Sequence, residues 1–348
     1  VISSPRQPTL ADIAARAGTT VPTVSKVLNG RSDVSAQTRR RIIALLAETG
    51  YRRRPASTRA VGSGGPGGMV EHGLVDLVIS GVAGGWAHQV LVGVENAAAQ
   101  AGLELVVSVA GSRRDAVAAE RGDWVRRLLA RSSAGAVLAL VDVSEDDLAL
   151  LEAAQIPVVL LDPVDRPPEG VASVGATNWP AGRDVADHLL GLGHRRFGVL
   201  AWRSDQLYSR ARVDGFSSAV GDADPGAEVS VLYVDGTLSP AEAAARFLDA
   251  DRRPTAIFAC SDTLALAVLQ AAGDRGIDVP ADLSLVGFDD VPEAHWAGLT
   301  TVRQPIAEMG EAALRLLLRI RDTGRRLPRE ELATALVVRA TTGPAPDR

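Results

Sequence analysis

The stretch VPTVSKVLNG, residues 21–30, gathers side chains suited to one chemistry, the hydrogen-bonded and apolar reading of a nucleic-acid surface. Thr20, Thr23, Ser25, Lys26 and Asn29 supply donors and acceptors. Val24, Val27 and Leu28 recur at the spacing that turns one helical face inward. Val21, Pro22, Thr23, Ser25, Lys26 and Asn29 are then left outward or at the helix start. Lys26 can donate to a guanine edge, whereas Val21 and Pro22 offer only apolar contact, for example with thymine methyls.

Other chemistries find little support. No G-x-S-x-G elbow and no H-E-x-x-H helix occurs, so no catalytic residue and no metal site is expected, and no cofactor. The single cysteine, Cys260, cannot form an intrachain disulfide. His188 and His194 stand in the run HLLGLGH at a helix end, which favours a structural role over catalysis. Ser144 with Glu145, Asp146 and Asp147 reads as a helix start. The glycines between 62 and 68 follow no strand and precede no Gly-Lys-Ser/Thr, so they read as a linker and not a phosphate loop.

The elements that must hold the reading helix follow from caps and periodicity. Thr9 with Asp12 three residues on is a variant capping box, and Leu10, Ile13, Ala14 and Ala17 share a face. Gly18 ends that helix in a turn that wants positive φ. Thr20 is the expected cap of the second helix, and Pro22 is tolerated because first-turn N–H groups lack intrahelical partners. A third helix, capped by Ser35, runs to about Thr49 and stops at Gly50. Ile42, Leu45 and Leu46, with Ile43 at its edge, supply its apolar stripe. Two helices joined by a tight glycine turn match helix-turn-helix geometry, whose second helix enters the major groove. A small bundle without groove contact is the competing reading; basic charge on both sides of the second helix favours DNA.

That charge is unevenly spread along 348 residues of net charge −5. Residues 1–61 hold eleven basic and three acidic residues, net +8, which leaves 26 basic and 39 acidic residues, net −13, for the remainder. A basic head on an acidic body puts the nucleic-acid contact at the amino end. No apolar run approaches the roughly 18–20 residues of a membrane span, and no apolar signal core opens the chain. A cytoplasmic, nucleoid-associated protein without membrane contact is expected.

From residue 74 strand-like and helix-like runs alternate, the pattern of a parallel α/β domain. Strands are expected at 74–80, 103–110, 134–141, 157–162, 196–201, 229–235, 255–260 and 283–290. The helices between them fall at 87–100, about 114–131, 144–154, 179–192, 208–220, 240–250 and 262–275. Two similar half-domains result, with a ligand cleft at the carboxyl ends of their strands.

TLADIAARAG (9–18), TVSKVLNG (23–30), VSAQTRRRI (34–42) and GY (50–51) resemble the head of the LacI/GalR family of bacterial transcription regulators. The resemblance continues through HLLGLGHRR (188–196), SRARVDGF (209–216), CSDTLALAVL (260–269), VGFDD (286–290) and LTTVRQP (299–305). It implies an all-α helix-turn-helix head joined to an α/β core of two Rossmann-like, doubly wound subdomains, like periplasmic binding proteins. The implied divisions are a head at 1–51 and a hinge and linker at 52–73. A first subdomain takes 74–175 plus 306–332, and a second takes 176–305 plus 333–342.

The same resemblance implies site residues. Val21 and Pro22 occupy the base-selecting positions. Thr9, Thr20, Thr23, Ser25, Lys26, Asn29, Thr38 and Tyr51 fall at or beside DNA-contacting ones. In the family a hinge helix wedges a leucine into the minor groove; here that position is Ala60, and Arg52, Arg53, Arg54 and Arg59 offer phosphate contacts instead. For an effector, Arg210 matches the family's cleft arginine and Asp289 its cleft aspartate. Trp86, Gln89, Asp162, Ser261 and Gln304 match other lining positions, and Trp179 and Trp296 lie in segments bordering the cleft. Ser261 replaces the more usual asparagine. The expected function is a homodimeric repressor on a palindromic operator, released by a sugar or oligosaccharide. Corepressor activation is the alternative. An enzyme or sugar-binding protein with a vestigial head is the rival of a different class, disfavoured by the missing catalytic constellation.

Overall fold

Thr9 opens the first helix of the computed structural model, which describes residues 8–31, 33–49, 51, 73–110, 123–131, 133–325 and 329–346. Its hydroxyl accepts from the Asp12 amide and the Asp12 carboxylate accepts from the Thr9 amide at 2.8 Å, so the capping box is closed. The head has three helices, α1 (Leu10–Ala17), α2 (Val21–Leu28) and α3 (Ala36–Thr49). Gly18 ends α1 at φ 62°, a left-handed turn that lets α2 start at a sharp angle. Ile13, Ala17, Val24, Val27, Leu28, Ile42 and Leu46 are buried together. One expectation is corrected here. Thr20 precedes α2 but caps no amide; its hydroxyl pairs with the Thr23 hydroxyl at 3.0 Å, because Pro22 removes an N–H from the first turn.

The body begins with β1 (Leu74–Ile79), α4 (Gly85–Gln100), β2 (Glu104–Val109), α5 (Asp123–Arg131), β3 (Ala136–Ala139), α6 (Glu145–Ala153), β4 (Val158–Leu161) and β5 (Ala172–Ala176). It continues with α7 (Asn178–Gly191), β6 (Arg196–Trp202), α8 (Leu207–Ala223), β7 (Glu228–Val234), α9 (Pro240–Leu248), β8 (Ala256–Ala259), α10 (Asp262–Gly273) and β9 (Ser284–Asp289). The remaining elements are α11 (Pro292–Trp296), β10 (Thr300–Arg303), α12 (Ile306–Thr323), β11 (Glu330–Leu332) and β12 (Ala335–Val337).

Two sheets carry this body. The first has the order β11-β5-β4-β3-β1-β2 and is parallel throughout. The second has the order β12-β10-β9-β8-β6-β7, parallel except where β12 pairs antiparallel with β10. Each sheet is covered on both faces, which is why its strands read as nearly unbroken apolar runs. Leu77, Val137 and Val159 pack on α4 and α12, while Val78, Leu138 and Leu160 face α5 and α6. In the second sheet Phe197, Phe258 and Phe288 pack on α7 and α8, and Leu200, Ile257 and Leu285 on α9 and α10.

The chain passes between the sheets three times, after β5, after β10 and after β11. Two crossings are tied directly: the Thr334 amide donates to the Thr177 hydroxyl at 3.0 Å, and the Thr177 amide to the Leu332 carbonyl at 3.0 Å. Parallel strands that enter this boundary from both sides bring their carboxyl ends together. Asp162 follows β4, Ser261 follows β8, Asp289 ends β9 and Gln304 follows β10.

Candidate nucleic-acid interface and effector cleft

On the head, α2 presents the residues that reasoning from the sequence singled out. Val21 is 40% exposed although apolar, and Pro22 and Lys26 are exposed beside it. The polar groups are held ready by one another. Asn29 Nδ2 donates to Ser25 Oγ at 3.2 Å, and Ser35 Oγ donates to Thr38 Oγ1 at 2.9 Å while accepting from the Thr38 amide. Lys26 Nζ donates to Asp33 Oδ2 at 2.5 Å, and this bond holds the Asp33 carboxyl below the usual carboxylate range. Tyr51 lies largely buried beside the head's apolar core, its amide bonded to the Leu46 carbonyl at 3.2 Å. Arg54, Arg59 and Ala60 lie outside the described residues.

At the boundary between the sheets one arginine organises the polar groups, and it is Arg212, not Arg210. Arg212 is 2% exposed. Its Nε donates to Asn178 Oδ1 at 2.8 Å and its Nη1 to the Cys260 carbonyl at 2.7 Å; Nη1 also lies 3.7 Å from Asp289 Oδ1. The guanidinium carbon sits 3.6 Å from the Phe288 ring centre and 5.2 Å from that of Tyr208. Arg210 is exposed on the opposite side of α8. The helical period explains the correction. Ser209, Arg212, Val213 and Phe216 follow the i, i+3, i+4, i+7 spacing of the buried stripe, and Arg210 falls between its members.

Around this fork stand two buried carboxylates. Asp162 and Asp289 both have positive φ, 48° and 119°, a backbone region that aspartate tolerates better than bulkier residues and that turns each carboxyl inward. Burial raises both above the ordinary carboxylate range; the nearby Arg212 charge pulls the other way and does not prevail. Asp262 is raised as well, by burial and by the Asp289 charge, although it accepts from Thr301 Oγ1 at 2.6 Å and the Val291 amide at 2.9 Å. Gln304 Nε2 donates to Asp289 Oδ1 at 2.6 Å, and the buried Gln304 Oε1 has no partner. Acceptors thus outnumber donors in this cluster, which suits a ligand that donates hydrogen bonds, such as a polyol.

Ser261 spends its hydroxyl locally, accepting from the Leu264 amide at 3.3 Å as the cap of α10 and from Trp202 Nε1 at 3.0 Å. Trp86 is half-buried against the apolar core of the first sheet, and Gln89 is half-buried one turn further along α4. Trp179 does not join the Arg212 network; it is 44% exposed, with the Arg183 guanidinium 5.3 Å from its ring centre. Trp296 is exposed at the end of α11. Arg212, Asn178, Tyr208 and Trp202 are the members that reading the sequence missed. The α8 stripe was the signal available for Arg212; the others are joined only by tertiary packing.

His194 is fully buried, with its ring nitrogens bonded to the Thr255 hydroxyl at 2.9 Å and the Ser284 hydroxyl at 3.0 Å. Among the described residues no group of His, Cys, Asp and Glu could hold a metal ion, and no helix is long and apolar enough to cross a membrane.

Comparison with known proteins finds relatives for both the head and the body. Residues 9–54 match the family "Bacterial regulatory proteins, lacI family", and residues 186–342 match a periplasmic binding protein-like domain. The HTH-type transcriptional regulator DegA of Bacillus subtilis is 30% identical over 345 residues, covering 97% of this chain and 98% of its own. The HTH-type transcriptional regulator MalR of Streptomyces coelicolor is 32% identical over 355 residues, covering 97% of both. Among solved structures, a transcriptional regulator CelR–cellobiose complex superposes with a TM-score of 0.70 at 28% identity, over 96% of this chain and 99% of the other. The lac repressor dimer bound to operator and an anti-inducer does so with 0.69 at 26% identity, over 97% and 100%. With a reading head, a two-sheet body and relatives matched from end to end, the chain belongs to the LacI family of DNA-binding transcriptional regulators.

Proposed function

We propose that this regulator is a homodimeric repressor that acts in the cytoplasm, at the nucleoid, and is released from a palindromic operator by a sugar-type effector. The observation that carries the effector half is the buried polar cluster of Arg212, Asp162, Asp289 and Gln304, rich in acceptors and holding one rigid donor fork. The cellobiose bound in the CelR complex supports the same ligand class. Val21 and Pro22, exposed at the start of α2, and Lys26, exposed in its last turn, support the DNA half. A two-fold dimer selects two-fold DNA, which is why a palindrome is expected. Val21 and Pro22 read by apolar contact, Lys26 by donation, and residues 52–73 serve as hinge and linker.

Effector binding must favour one conformation over the other, typically by roughly 1–3 kcal/mol of coupling, for release to follow. The direct test is a gel-shift titration with DNA from upstream of its own gene, repeated across salt and with a panel of neutral and anionic sugars. Sequence-selective binding that a neutral sugar weakens is the expected result. Binding that no sugar alters would remove the effector half, and binding without sequence preference would remove the operator half.

A further inference from the structure

The head does not hang free of the body. Its α3 packs along α6, and the buried apolar side chains of the head run without a break into Trp124, Leu128 and Leu151 of α5 and α6. Ile43 is the residue that makes this more than incidental contact. Ile42, Leu45 and Leu46 face the head's own core, while Ile43 is turned about 100° from Ile42 on the helix. It is nonetheless only 6% exposed. At this margin of the stripe it belongs to the continuous apolar cluster that joins the head to α5 and α6.

A second contact lies at the turn between α2 and α3. Gly30 has φ 66°, and a Cβ placed on it would come within 2.7 Å of the Arg126 carbonyl oxygen on α5. Only glycine fits both the backbone angle and the approach. Arg39, which bonds the Arg31 carbonyl across the same turn, has its pKa lowered by partial burial and by the Arg126 guanidinium. Asn29 precedes Gly30 and Thr38 precedes Arg39, so the edge pressed against α5 adjoins two positions that the resemblance places at or beside DNA contacts.

We infer that the α5–α6 face is a resting dock for the head, and that docking and DNA engagement exclude one another. The inference rests on the DNA-reading role of Asn29 and Thr38. In the docked form α5 stands where a phosphate strand would approach the α2–α3 turn. The head then partitions between dock and DNA, and the fraction undocked scales the apparent affinity. Apolar packing resists salt whereas phosphate contact does not, so rising salt returns heads to the dock.

Cys260 is buried and leaves the surface clear for labelling. The full chain with Ala44→Cys and Asp146→Cys, both at exposed positions, carries a dye pair across the α3–α6 contact. Energy transfer is read beside the anisotropy of a labelled mixed-sequence duplex at low ionic strength, which reports binding separately. High transfer in the free protein, falling as the duplex binds, is expected. Adding Ile43→Gln should lower transfer in the free protein and raise duplex affinity by about fivefold. Arg126→Glu, which faces Arg39 with opposite charge, should raise transfer without touching the head, and so decides the matter if the Ile43 variant misfolds. Low transfer in the free protein overturns the dock. Transfer unchanged while anisotropy shows the duplex bound overturns the exclusion. A duplex that never binds overturns the DNA-reading role and the competition with it.

Discussion

Arg210 and Arg212 differ by two positions and by nearly everything that matters to a ligand. The first is exposed; the second is clamped by Asn178, Cys260 and the Phe288 ring. Arg212→Lys keeps the charge but loses the planar fork, so effector response should fall steeply while Arg210→Ala responds normally. The reverse pattern in an induction assay would return the cleft role to Arg210. The carboxylates make a prediction of their own. Asp262 and Asp289 are raised by burial, so between about pH 4 and their elevated values the native state holds more protons than the unfolded chain. Stability from this pair is therefore greatest in acid and declines as pH rises, by about 1 kcal/mol per pH unit for each group that ionises, before levelling off above those values. His188 and His194, lowered mainly by burial, act in the opposite sense. The advantage of wild type over Asp289→Asn in urea unfolding isolates the carboxylates from them; it should shrink from pH 5 toward neutrality, and a constant difference would refute the shift. On the head, Asp33→Asn releases Lys26 from its ion pair. Binding should tighten most on the operator, where Lys26 donates to a base edge, as a filter assay comparing operator with unrelated DNA would show; equal tightening on every duplex would make Lys26 a phosphate contact.

Elements were legible where local chemistry is strong. The boxes of Thr9 with Asp12 and Ser144 with Asp147 close as their sequence spacing implies. Thr9→Ala should remove about 1 kcal/mol from the head, visible as a lower midpoint for its unfolding in thermal melts while the body's transition stays put. Alternating apolar runs located β1 to β4 and β6 to β9 to within two residues at most ends. They did not reveal β5, β10, β11 or β12, which are three to five residues long and carry no period distinguishable from a loop. The cleft was legible as a place, at strand ends, before it was legible as a set of contacts. Asp162, Asp289 and Gln304 could be located through the resemblance, and for Asp162 and Asp289 the expected strands agreed, since the one directly follows β4 and the other ends β9. Asn178, Tyr208 and Trp202 could not, since only the packing of α7 on α8 and of β6 beside β8 brings them in. The seat of α3 on α6 was equally hidden, although Ile43, at the margin of its own helix's stripe, was its trace.

Across the whole molecule the charge division sets how DNA is held. A head and adjoining segment of +8 precede a remainder of −13, so the body's field repels the duplex and confines contact to the amino end. Val21 and Pro22 give the reading helix few hydrogen bonds, and the resemblance puts only the small Ala60 where a larger wedge would be expected. Affinity must then come largely from phosphate neutralisation, each contact releasing counterions and adding roughly −0.9 to the slope of log K against log salt. Arg52, Arg53, Arg54 and Arg59 are four such contacts if the segment tracks the backbone. Replacing all four with Gln should flatten the slope by about 3 to 4 units per head and weaken binding alike on operator and unrelated DNA. A loss confined to the operator would instead make this segment a reader of sequence or groove width. An unchanged slope would mean that it lies off the duplex and that the head alone carries the electrostatics.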